Sequence, residues 1–65
     1  MAEEFVQRLL DEKSQLDERI EKLTSFVKGA AFPNIDVKQQ ELLKEQLPVM
    51  EKYSAILNQR IKLLS

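Results

Sequence analysis

Arg19, Lys22, Thr24 and Ser25 fall within two turns of one another if the stretch around them is helical. Lysine and arginine neutralise phosphates, arginine with two parallel hydrogen bonds, and hydroxyls add directional ones. That is anion-binding chemistry, although charges of both signs at this spacing read first as a solvated helix face. Arg60 stands apart. It shares a line with Leu42, Gln46, Val49, Tyr53, Ile56 and Leu63 that is otherwise mostly apolar. A buried arginine is costly without a partner. Two readings of it stand side by side: a salt bridge to a carboxylate of another subunit, or an anion held where subunits meet. Phe5 and Tyr53 have faces on which nucleobases can stack. On apolar stripes they read first as interface core.

Catalytic chemistry finds less support. Acid–base catalysis needs a positioned carboxylate, lysine or tyrosine in a dry cleft. The 11 carboxylates mostly alternate with bases at helical spacing, as in Asp17-Glu18-Arg19 and Glu21-Lys22. There is no cysteine and no histidine, which removes disulfides and makes a zinc site improbable. No phosphate-loop, nucleotide-fold or metal-loop motif is present. The expectation is a protein that is not an enzyme, with no catalytic residue, metal or cofactor.

The elements that must position these residues are helices. The 65 residues contain one glycine and two prolines, and Gly29 and Pro33 lie together near the middle. The spacing predicts a first helix over about residues 3–28, a connector over 29–35 and a second helix over about 36–64, all in one helical-hairpin domain spanning 1–65. Leu9, Leu16, Ile20, Leu23 and Val27 form the first stripe. Glu3 and Glu4 at its start and Lys28 at its end suit the helix dipole. Gly29 is expected to close the helix in the left-handed conformation. Asp36-Val37-Lys38-Gln39 has the form of a capping box. Leu43, Leu47, Met50, Ser54, Leu57, Ile61 and Leu64 then make a coiled-coil-like seam, interrupted only by the small Ser54. A helix of about 28 residues is roughly 42 Å long. Pro48 lies inside it and is expected to kink it near Leu47-Pro48; the alternative is a break there.

A connector this short makes the helices antiparallel neighbours. One hairpin covers one seam on each helix, yet the second has an adjacent line (Leu42, Val49, Tyr53, Ile56, Leu63). The first has Phe5, Val6, Leu10 and Phe26 beside its stripe. A core this small is marginal without a staple. The surplus apolar width therefore predicts a compact homo-oligomer. The net charge of −1 gives no reason to bind nucleic acid polymers. No apolar run approaches the ~20 residues needed to span a bilayer, and the acidic start is unlike a signal peptide. A cytoplasmic protein without membrane partners is expected.

Phe5-Val-Gln-Arg-Leu-Leu-Asp-Glu-Lys13 and Leu16-Asp-Glu-Arg-Ile-Glu-Lys-Leu-Thr-Ser-Phe26 resemble the first helix of a small phage protein family. Leu42-Leu-Lys-Glu-Gln-Leu47, Met50 and Tyr53-Ser-Ala-Ile-Leu-Asn-Gln-Arg-Ile61 resemble its second. The family is the anti-CBASS cyclic-oligonucleotide sponges, whose hairpin also begins some Thoeris anti-defence proteins. A full-length Thoeris antagonist would carry a further domain. The resemblance implies a hexamer in the host bacterial cytoplasm that binds cyclic nucleotide signals without cleaving them and so blocks CBASS effector activation. It implies a site for cyclic dinucleotides of the 3′,3′-cyclic GMP–AMP class, with Lys22, Phe5 and Gln7. It implies a separate site for trinucleotides of the cyclic triadenylate class, with Arg60, Thr24 and Arg8. The family's stacking tyrosine is expected at or near Gln7, where this chain has Phe5 nearby instead. The short N-terminal segment implies a smaller lid. The alternative function is a structural or adaptor hairpin that pairs with another protein's helix.

Overall fold

A computed structural model describes residues 2–64. Two long helices, α1 (Ala2–Lys28) and α2 (Val37–Leu63), flank a short 3-10 turn at Phe32–Asn34. Among the described residues there is no strand. The helices pack against each other as a hairpin, giving a rod of 46 × 15 × 15 Å, about two helices wide.

The seam residues build the core. Leu9 and Leu16 of α1 and Leu57 of α2 are buried, with Ile20, Met50 and Ile61 packed against them. Leu57 is fully enclosed, at 0% exposure. The seam stops short of its expected end. Leu64 lies beyond α2 in the terminating turn, its N–H bonded to the Ile61 carbonyl, and it is exposed.

The connector corrects two expectations. Gly29 is not left-handed, and no glycine has positive φ among the described residues. The Gly29 N–H instead bonds the Phe26 carbonyl at 3.0 Å, and Ala31 continues in the right-handed region. The chain thus leaves α1 by tightening into 3-10 geometry, which satisfies the last carbonyls without reversing handedness. The small residue is still apt, because a Cβ at Gly29 would lie 3.3 Å from the Ser25 carbonyl oxygen.

The second correction concerns the box at the start of α2. Asp36 is the N-cap, and its Oδ1 accepts from the Lys38 N–H at 3.1 Å. Among the described residues the Gln39 side chain makes no reciprocal bond with the cap N–H. Gln40, one residue later, reaches back and donates to the carbonyls of Ile35 at 2.8 Å and Pro33 at 3.2 Å. A side chain on the next residue points toward the connector, so it satisfies carbonyls there instead of the cap N–H. Phe32 is buried beneath this turn, edge-on to Phe26 with ring centroids 6.0 Å apart. Pro48 does not break α2, which runs through it to Leu63.

Candidate ligand-binding surface

The expected ligand residues lie toward opposite ends of the rod. Phe5, Gln7 and Arg8 belong to the first two turns of α1, and Arg60 to the last turn of α2. The antiparallel fold brings Phe5 and Arg60 together at the open end. The Arg60 guanidinium lies over the Phe5 ring, 5.8 Å from its centroid. Arg8 is exposed one turn along α1 from Phe5, on the same side of the helix. Gln7, two residues from Phe5, is about 200° round the helix from it. Its amide donates to Asp11 Oδ1 at 2.9 Å.

Lys22 and Thr24 lie near the other end of α1, about 25 Å from Phe5 and Arg8 at about 1.5 Å per residue. Lys22 is 74% exposed and pairs with Glu18 at 3.0 Å. The two flank an open groove of about 400 Å³, together with Glu21 and Ser25. The ammonium has three donors, so a phosphate reaching Lys22 shares it with Glu18 or displaces that carboxylate. Exposed i,i+4 pairs are worth only about 0.3–0.5 kcal/mol, so that exchange is easy. Thr24 is partly buried. Within one chain, therefore, Lys22 does not meet Phe5 or Gln7, and Thr24 does not meet Arg60 or Arg8.

A polar cluster midway along the rod has no counterpart in the sequence reading. Lys13 Nζ donates to Asp17 Oδ2 at 2.6 Å and to Ser54 Oγ at 3.3 Å, and the Ser54 hydroxyl donates to Asp17 Oδ1. Hydrogen bonds from Lys13 and then Ser54, with the lysine's charge, hold the Asp17 carboxyl below its ordinary value against a smaller opposing effect of burial. Ser54 is thus more than a small interruption of the seam. A lone polar residue in an apolar seam signals a partner across it, and Asp17 follows the buried Leu16 directly.

The outer face of α2 is apolar and uncovered. Leu42, Val49, Tyr53, Ile56 and Leu63 are all exposed, Leu63 at 86%. Pro48, Val49, Lys52, Tyr53 and Ile56 line an open groove of about 420 Å³. Among the described residues no group of acidic side chains is arranged to hold a metal ion, and no helix is long and apolar enough to cross a membrane.

Compared with known protein families, residues 3–63 match the family model described as Sequestin. The match takes in both helices and the connector. No curated protein and no solved structure matches the chain.

Proposed function

The chain belongs to the Sequestin family, and from that premise we propose that it is a phage protein that sequesters host cyclic oligonucleotides. The family's name describes sequestration, which is binding and not turnover. The ligands are cyclic dinucleotides of the 3′,3′-cyclic GMP–AMP class and trinucleotides of the cyclic triadenylate class. Their removal in the host bacterial cytoplasm denies the CBASS effector its activator.

One geometric observation supports this reading most. Lys22 lies about 25 Å along α1 from Phe5 and Gln7, and Thr24 about as far from Arg8 and from the end that carries Arg60, while the α2 face with Tyr53 and Ile56 is exposed. Copies packed through that face, as a homohexamer, would set Lys22 of one chain beside Phe5 and Gln7 of another. Thr24 of one would likewise approach Arg60 and Arg8 of another. A kink of α2 at Pro48 belongs to the same proposal, since a proline cannot bond the Lys44 carbonyl and Pro48 lines the edge of the apolar groove. Lys22 and the arginines neutralise phosphates, Phe5 stacks a base, and Thr24 and Gln7 add hydrogen bonds. No bond of the ligand breaks. Many sites per assembly lower free ligand by mass action.

Native mass spectrometry with 3′,3′-cyclic GMP–AMP and cyclic triadenylate tests the proposal. A hexamer carrying intact ligand is expected, with Lys22→Ala losing the dinucleotide. No binding of either ligand at tens of micromolar protein would overturn it. Recovery of cleaved ligand would replace sequestration with hydrolysis. The exposed α2 face also suits an adaptor that packs against another protein's helix. A 7.6 kDa monomer that binds neither ligand would favour that reading.

A further inference from the structure

Every residue of the outer line of α2 stands one place before a residue of its inner seam. Val49, Tyr53 and Ile56 are exposed, while Met50, Ser54 and Leu57, one place later, turn toward α1. Turning α2 by about 100° about its axis, with a slide of about 1.5 Å, would lay the outer line against α1 instead. The spacing of this helix thus contains two packing frames. We infer that the Lys13–Asp17–Ser54 cluster is the frame selector of the hairpin: it decides which apolar face of α2 packs inward and which is left outside. The selection is independent of what the chain binds.

The cluster sits where the two frames differ most. The Ser54 hydroxyl donates to Asp17 Oδ1, and Lys13 Nζ reaches both residues. The Lys13 and Asp17 side chains keep 24% and 46% exposure, so their charges are not stranded in the seam. In the other frame Tyr53 takes the place of Ser54. Its hydroxyl stands at the far end of a ring, and Asp17 and Lys13 lose the short hydroxyl between them. Hydrogen bonds to charged groups outweigh neutral ones. The apolar residues separate the frames less, because Val49 for Met50 and Ile56 for Leu57 exchange like for like. Arg60 would replace Ile61, but it lies in the last turn, where its long stem can carry the charge out to water. The turn at Phe32–Asn34 does not choose between the frames alone. A slide of about 1.5 Å is less than one Cα–Cα step of the connector.

Disulfide trapping in the full chain tests the selector. The sequence has no cysteine, so introduced pairs report without background. Leu9→Cys with Leu57→Cys reports the observed frame, in which both positions belong to the core. Leu9→Cys with Ile56→Cys reports the other. Mass spectrometry after mild oxidation separates closure within a chain from closure between chains. With the cluster intact, only the first pair should close within the chain. Adding Asp17→Ala and Ser54→Ala should raise closure of the second pair by about tenfold or more, the scale expected when hydrogen bonds to a charged group are lost. Circular dichroism should show unchanged helix content. Ser54→Thr, which keeps the hydroxyl, should keep the single frame. Closure of the first pair alone in the alanine variant would overturn the inference, and so would closure of both pairs with the cluster intact. Loss of helix in the alanine variant would make the cluster a stabiliser and not a selector. Free closure of the second pair in Ser54→Thr would assign the choice to side-chain size and sink the inference as well.

Discussion

At the closed end of the hairpin, Phe32 is buried against Phe26, with Lys44 Nζ 5.8 Å from its ring centroid. At the open end, Phe5, Leu63 and Leu64 face solvent and Arg60 lies over Phe5 from outside. The same residue types meet opposite fates. At the closed end the connector folds back over them, and Asp36 and Gln40 satisfy the backbone groups around it. At the open end no further segment of the described chain folds over them. One end is completed by the chain itself, and at the other the aromatic and the cation stay exposed.

The strongest way to break the comparison is Phe32→Ala. Truncating a buried phenylalanine costs about 3–5 kcal/mol, a large share of what so small a domain can hold. Thermal or urea unfolding at fixed protein concentration should show it, because assembly makes stability concentration-dependent. A cost under about 1 kcal/mol would mean that the closed end is not self-completed. Next comes Asp36→Ala, which removes the α2 cap and should cost about 1 kcal/mol in the same assay. The smallest effect belongs to the open end. Phe5→Leu should change unfolding stability by less than about 0.5 kcal/mol. A larger loss would place Phe5 in the fold's own core.

Between the two ends, Asp17 predicts a pH dependence. Hydrogen bonds from Lys13 and Ser54 depress its folded value. Its contribution to stability is therefore present above the unfolded carboxylate value of about 3.9 and is lost as pH falls through the folded value. Asp17→Asn should be less stable than the parent at pH 6, and the gap should close on acidification. A constant gap from pH 6 to pH 2 would assign the loss to packing and not to the charge.

The helix faces were legible because their signal is local. Leu9, Leu16, Met50 and Leu57 recur at helical spacing, and each lands in the seam; Val49, Tyr53 and Ile56 recur beside it and stay exposed. Asp36 as a cap was legible for the same reason, since its bond spans two residues. Gly29 was misread because two helix exits satisfy the same carbonyls and composition does not separate them. Gln40 was missed in favour of Gln39 because the box template assumes a partner three residues on. The burial of Phe32 was hidden by its place in the connector.

Residue order and periodicity settle that this chain makes two amphipathic helices with more apolar surface than one hairpin can cover. They also put Lys22, Thr24 and Arg60 on helices. Which residues touch was decided by the antiparallel packing. Ser54 reaches Lys13 and Asp17, and Arg60 reaches Phe5, only because the turn at Phe32–Asn34 sets the register of α2 against α1. Periodicity reports the angle of a residue about its own helix axis. It carries no information on how far one helix is shifted along the other, and that shift brings distant side chains into contact.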